Sequence, residues 1–413
     1  MKTIPQHTIR LQDGSLCNFN KRIAKQAKPL AAFLSEIPDP REKQGRRHCL
    51  AVILLIVFIA LLRGSKDLKD AHLFALHSMK FFKKYISMPH GIPDPTTISR
   101  VLQELDPEQM IKAFVSFLKT LHIPFGDILS FDGKTMRAVT GKEAVRHMLS
   151  FFSHATHLAL GQTGVSTKEN EIPAFSRLLS QISKSIPVAG LLFLGDALHT
   201  QKDTVKAILH KRADYLFVVK GNQKELFEAI SLAFSEEEAM KNIYHAQNKP
   251  SIIKENFTSM ENKRKRLVTT TISLTHDKQL ISYIKEAYGW EGIQTLGILK
   301  RTGTRTGKDG TVTQINETVC FISSRMLTAK QAVAHLRGHW CIENNLHWTK
   351  DVVFLEDKQT LRLGNAPQIM SFLRSMCISI FNICKFKSIS DAIHNFEKSP
   401  TLHSQFLRMA AIV

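Results

Sequence analysis

The chain has 413 residues, 43% hydrophobic and 22% charged, the make-up of an ordinary globular protein long enough for two or three domains and a large core. Its six cysteines are scattered without a CxxC pair, which excludes a disulfide framework and a structural zinc site and leaves a reducing cytoplasm as the setting. The formal net charge of +20 is not ordinary; it favours a polyanionic partner, nucleic acid before an anionic membrane surface.

The N-terminal MKTIPQHTIRLQDG lacks the apolar core of a signal peptide, and residues 1–28 read as a loosely ordered basic arm. Residues 29–118 read as an all-α domain. LAAFLSEI stops at PDPREKQGRRH, where two prolines end a helix. CLAVILLIVFIALL (49–62) is short for a bilayer and right for a buried core helix, so no membrane is expected. LKDAHLFALHSMKFFKKYI has helical spacing, and Asp94 is placed to cap ISRVLQEL.

The expected catalytic domain spans 119–387, and the character of the sequence changes at residue 126. GDILSFDG, HMLSFFSHA and HLALGQTGV are three antiparallel-type strands, followed by helix EIPAFSRLLSQIS, strand GLLFLGDAL, helix TQKDTVKAILHKRA, strand DYLFVVKG and helix NQKELFEAISLAF. That order predicts an α/β fold with a ribonuclease-H-like mixed sheet; the rival Rossmann fold would need a GxGxxG loop, which is absent. A β-rich insertion is expected at about 245–325, carrying exposed basic loops at NKRKR (262–266) and RTGTRTGK (301–308). One helix, TAKQAVAHLRGHWCIENNLHWTKD, then one apolar helix, APQIMSFLRSMCISIFNICKF, close the domain, and 388–413 reads as a tail.

Two acids end apolar strands: Asp132 after ILSF and Asp196 after LLFLG. A strand-terminal Asp often caps the following loop, but one set behind apolar residues needs water or a cation, and hard Mg²⁺ or Mn²⁺ suits carboxylates. Glu343 stands in HLRGHWCIENNLHWTKD, one helical turn from His339 and His347 on the same face. Three carboxylates can hold two metal ions about 3.5–4 Å apart for in-line phosphoryl chemistry.

FDGKTMR, GDALHTQKD, YLFVVKGNQ and RGHWCIENNLHW, in that order, resemble the insertion-sequence DDE transposases of the H-repeat-associated group. IPDPREKQGRRHCLAVILL and GIPDPTTISRVL resemble the domain that accompanies them, so the likeness spans roughly residues 30 to 385. The resemblance implies Asp132, Asp196 and Glu343 as a metal-binding triad using Mg²⁺, with Mn²⁺ substituting. It implies cleavage at element ends, then attack of a 3′-hydroxyl on target DNA, by a homodimer on DNA acting in the bacterial cytoplasm at the nucleoid. A ribonuclease-H-like nuclease without strand transfer and a catalytically inactive DNA-binding relative are the rival readings. Related transposases carry a Tyr, Arg, Glu, Lys helix pattern; here Glu343 and Lys350 match, while Leu336 and His339 replace Tyr and Arg.

Further DNA contacts are read at Lys134, Arg137, Lys220, Asn222, Arg337, His339 and Lys350. For Lys134 and Arg137 the alternative is ordinary loop charge, and for Asn222 it is capping of the next helix. His199 orients a water or a ligand, or is structural. Cys341 points off the face of His339, Glu343 and His347, against zinc. Trp340 and Trp348 pack in the core or stack on an unpaired base, core packing being favoured.

Overall fold

A computed structural model describes residues 8–10, 16–18, 34–84, 86–120, 125–137, 139, 145–165, 171–235, 252–257, 266–307 and 309–398. The chain divides into two units, one comprising Met1–Gly126, Phe131–Pro187 and Cys341–Val413, the other Asp127–Ser130 and Val188–Trp340.

The first unit opens on a strand pair where the sequence suggests only an arm: β1 (Thr8–Arg10) runs antiparallel to β2 (Leu16–Asn18), and the rest of 1–28 lies outside the described residues. Helix α1 (Leu50–Leu62) buries all thirteen of its residues, as a helix apolar on every side must. Among the described residues no helix is long and apolar enough to cross a membrane. Helices α2 (Leu68–His77) and α3 (Met79–Lys83) follow. Helix α4 (Pro95–Glu104) starts where expected, because Asp94 Oδ1 accepts the Thr96 N–H at 2.8 Å and Pro95 needs no donor in the first turn. Helix α5 (Pro107–Thr120) ends the helical region.

Strands β3 (Ile128–Thr135), β4 (His147–Ser153) and β5 (Ala159–Val165) stand in the order β5-β4-β3, with β4 antiparallel to β5, and helix α6 (Glu171–Ser183) follows. Three buried rings, Phe131, Phe151 and Phe175, cluster with centroids 4.5–6.0 Å apart and fix strand and helix together. Phe131 thereby anchors the residue immediately before Asp132.

The second unit is built on the start of β3, which pairs in parallel with β6 (Leu192–Gly195): Ile128 faces Leu192 and Ser130 faces Leu194. Every residue of β6 is buried, as in a strand covered on both faces. Helix α7 (Lys202–His210), strand β7 (Asp214–Val219) parallel to β6, and helix α8 (Lys224–Ala233) complete the ribonuclease-H-like order of elements. Strands β8 (Ile252–Phe257) and β9 (Arg266–Thr275), helix α9 (Lys278–Tyr288), and strands β10 (Thr295–Thr306) and β11 (Val312–Ser323) make the inserted region, in the order β3-β6-β7-β11-β10-β9-β8.

The basic stretch expected as a loop at 301–308 is instead strand through Thr306. Arg301 to Arg305 are paired on both sides, with β9 and with β11, because alternating β-branched residues make the run a good strand despite its charge. Residues 262–265 of NKRKR lie outside the described residues.

The expected single helix over 328–351 is interrupted. Helix α10 (Ala329–Gly338) begins with a capping box between Thr328 and Gln331. A turn at 339–340 breaks it, and Glu343–His347 form a π-helical turn that leads into α11 (Trp348–Val352). Returning to the first unit, α12 (Ala366–Ile383) is buried without a break from Ala366 to Phe381. The region read as a tail holds α13 (Ile389–Lys398), with Ala392 and Phe396 buried; 399–413 lie outside the described residues.

Candidate active site

Asp132 lies within β3, which runs on to Thr135 rather than ending at the acid as expected, and it is mostly buried. His347 Nδ1 stands 3.3 Å from Asp132 Oδ2, so the helical segment carrying Glu343 is tied to the strand carrying Asp132. His347 is buried, and its Nε2 has no hydrogen-bond partner among the described residues, which makes the Asp132 contact the ring's anchor. Gly133 follows because nothing larger fits: a Cβ there would run into His147 Nε2 and Glu171 Oε1, themselves paired.

Asp196 follows β6 and caps a short turn, Ala197–His199. Its Oδ1 accepts the backbone N–H groups of Leu198 at 3.0 Å and His199 at 3.3 Å. His199 is buried, with Nε2 3.9 Å from Asp196 Oδ1, which gives it a structural place behind the acid. Within the second unit the parallel ladder of β3 and β6 ends at the Ser130–Leu194 pair, and Asp196 follows it. The Asp132 and Asp196 side chains are both carboxylates, the donors a hard cation prefers. Glu343 is exposed at the start of the π turn. Among the described residues no three His, Cys, Asp or Glu form a metal-binding group, so the fit to a divalent ion lies in the carboxylate chemistry of the single acids.

Three of the predicted DNA contacts, Lys134, Lys350 and His339, are interior. Lys134 points inward, its Nζ 2.8 Å from Asp351, 3.3 Å from Glu356 and 3.4 Å from Asp357. Burial opposes its charge, but Glu356, Asp351 and Asp357 outweigh it and hold the ammonium above the ordinary lysine range. Lys350 is 1% exposed and donates to Gln162 Oε1 and Ser371 Oγ, both at 3.0 Å. Burial pushes its ammonium down to about 8, with Lys134 and Arg374 adding to the effect against Glu356. Glu356, also buried, is met by Arg374 at 3.4 Å; burial would raise its carboxyl, yet Lys350, Arg374 and Lys134 pull it down to about 2. Arg374 donates as well to Gln359 Oε1 at 2.8 Å.

Lys350 is therefore corrected from phosphate contact to internal strut. The π turn explains the change: one extra residue per turn rotates everything after it by about 100° relative to an α-helix. His339 is likewise buried, and its carbonyl accepts the Ser130 hydroxyl at 3.4 Å, which removes it from the surface. Asn222 does not cap the helix after it; it lies in a short turn and donates to the Ala197 carbonyl at 2.5 Å, bracing the loop behind Asp196. Lys220 is exposed, and Arg137 is exposed beside Asp357 at 3.7 Å. Arg337 is exposed and donates to Thr270 Oγ1 at 3.0 Å.

Both tryptophans are on the surface, against the expectation of core packing: Trp340 is 52% and Trp348 57% exposed. The Arg301 guanidinium stands 6.0 Å from the Trp340 ring. Cys341 accepts from Asn345 at 3.2 Å and takes part in no metal group among the described residues. The acidic cluster that fixes Lys134 is what the sequence reading missed. Its signal is the density of acids after Trp348, at Asp351, Glu356 and Asp357, opposite a lysine two residues past Asp132.

The chain is similar to known families and proteins. The family described as Transposase DDE domain matches residues 123–380, and that described as DDE_Tnp_1-associated matches residues 31–118. An Escherichia coli O157:H7 protein named "Putative transposase YncI" is 29% identical over 360 residues, 86% of this chain and 88% of the relative. The "H repeat-associated putative transposase YhhI" of Escherichia coli strain K12 is 30% identical over 359 residues, 86% of this chain and 90% of the relative. "Inactive transposase YbfQ" of the same strain is 32% identical over 79 residues, 19% of this chain and 94% of the relative.

Proposed function

The chain belongs to the DDE transposase family, and from that premise we propose that it cuts the ends of an insertion sequence and joins their 3′-hydroxyls to target DNA. The observation that supports the reading is the match of the Transposase DDE domain to residues 123–380, a span that holds Asp132, Asp196 and Glu343.

Asp132, Asp196 and Glu343 would hold Mg²⁺, with Mn²⁺ able to replace it, in keeping with a family that generally uses a divalent metal. When bound, the metal lowers the barrier to phosphoryl transfer by activating the attacking oxygen and stabilising the leaving one. His347 orients Asp132 through Nδ1, and the backbone N–H groups of Leu198 and His199 orient Asp196. The exposed cations Arg137, Lys220 and Arg337 meet the phosphodiester backbone and fix its register without reading sequence. The pair of element ends calls for a pair of chains, so the working form is a homodimer on DNA, acting at the nucleoid.

The test is cleavage of duplexes taken from the DNA flanking the gene, with and without Mg²⁺. Asp132→Asn, Asp196→Asn and Glu343→Gln are each expected to abolish cleavage while DNA binding is retained. Normal cleavage by Glu343→Gln would reassign the third acid. Cut ends that never join to target would leave a nuclease, and DNA binding without cleavage by the unaltered chain would leave an inactive relative.

A further inference from the structure

Three carboxylates from the chain beyond Glu343 converge on one buried ammonium two residues beyond Asp132. The geometry points to Lys134 as a positioning residue: by binding Asp351, Glu356 and Asp357 it fixes the strand carrying Asp132 to the segment carrying Glu343. This rests on the reading of those two acids as metal ligands.

Lys134, Asp132 and Glu343 all belong to one unit of the chain, and so do the partners of Lys134. On β3, Asp132 and Lys134 are two residues apart and share a face of the strand. The Asp132 carboxylate meets His347 of the π turn at 3.3 Å, and the Lys134 ammonium meets Asp351 of α11 at 2.8 Å. The strand is thus held at two successive inward positions by residues four apart on the same helical segment, His347 and Asp351. Glu356 and Asp357 hold the Lys134 ammonium at 3.3 and 3.4 Å.

The cluster is anchored in the core. Arg374 of α12 reaches Glu356, and Lys350 reaches Gln162 of β5 and Ser371 of α12. Three cations, Lys134, Lys350 and Arg374, stand among three carboxylates, so the buried charge is matched. Ion pairs at this depth contribute little net stability against apolar replacements, yet removing one partner is costly, so their value is in fixing one geometry. Here the geometry fixed is that of the strand and the helical segment that present Asp132 and Glu343.

A metal site tolerates little error in ligand spacing, and displacements of about 1 Å in a reacting geometry can cost about 100-fold in rate. The variants that test the inference are Lys134→Arg, which keeps the charge but moves it, and Lys134→Met paired with Asp351→Asn, which keeps the cluster neutral. Three readouts are needed on the full chain: Mn²⁺ binding to the free protein by electron paramagnetic resonance, single-turnover cleavage at saturating end DNA, and the thermal midpoint. Lys134→Arg is expected to weaken Mn²⁺ binding and slow cleavage by about 10- to 100-fold, with DNA affinity unchanged. Its midpoint should stay within about 4 °C of the unaltered chain.

Wild-type Mn²⁺ binding and cleavage in Lys134→Arg would overturn the inference, as would losses that merely track the fraction of unfolded protein. A drop in DNA affinity with the salt slope reduced by about one would also overturn it, because that is the signature of a phosphate contact. If the double variant does not fold, Lys134→Arg decides alone. Absence of Mn²⁺ binding by the unaltered chain would instead sink the triad, and the positioning role with it.

Discussion

The cations around Lys134 and those at Arg137, Lys220 and Arg337 come from the same strongly basic chain, yet they sit in opposite surroundings. Lys134, Lys350 and Arg374 are buried among Asp351, Glu356 and Asp357, whereas Arg137, Lys220 and Arg337 face solvent. Net charge counts both sets alike. Only the second is available to a phosphate, and only the first fixes backbone geometry. A buried cation responds to removal of its carboxylates through stability, while an exposed one responds to salt through DNA affinity.

The largest effect that would break this contrast is the loss of Glu356. Glu356→Ala leaves Lys134, Lys350 and Arg374 with less negative charge in the core and is expected to destabilise the fold by about 3–5 kcal/mol, read by denaturant titration. A loss under about 1 kcal/mol would mean the cluster is hydrated and surface-like.

Next comes acid. The Glu356 carboxyl is held at about 2 against an ordinary value of 4.5, so the unfolded chain binds its proton first. Its contribution, on the order of 3 kcal/mol, is present above pH 4.5 and is lost as pH falls toward 2. Lys350 acts at the other end. Its folded value of about 8 lies below the ordinary 10.5, so the unfolded chain binds more protons between them, and stability rises as pH climbs through that window. Unfolding midpoints measured across pH should show both slopes, the first vanishing in Glu356→Gln and the second in Lys350→Met.

On the exposed side, Arg337→Ala should leave unfolding unchanged, weaken DNA binding several-fold, and lower the slope of log affinity against log salt by about one. A stability loss above about 1 kcal/mol would place Arg337 with the structural cations, through its bond to Thr270. The smallest effect is expected for Lys350→Met in DNA binding: none, because the ammonium it removes is not at the surface.

The three candidate acids stand out in the sequence because each breaks a local pattern. Asp132 and Asp196 follow runs of apolar residues, and Glu343 is the one acid between His335 and Lys350 in a basic, aromatic stretch. The strand and helix order was legible for the same reason, since period and turn residues are local properties. The roles of Lys134 and Lys350 were not, because they depend on where Asp351, Glu356 and Arg374 arrive after folding. The exposed faces of Trp340 and Trp348 escaped for a related reason: aromatic residues at helical spacing normally pack inward, and which face is left open is a tertiary fact. The strand at 301–306 was masked by its charge, although its threonines favoured it.

The π turn at Glu343–His347 makes residue counting an unreliable ruler past the third acid. A side chain seven places beyond Glu343 faces where its neighbour would in an uninterrupted helix, so aligning such chains by spacing alone pairs a core lysine with a surface one. Removing a single residue within the turn would bring Lys350 round toward solvent and carry His347 away from Asp132 together. One-residue length differences at this point should therefore sort relatives by which cation, if any, they offer to DNA.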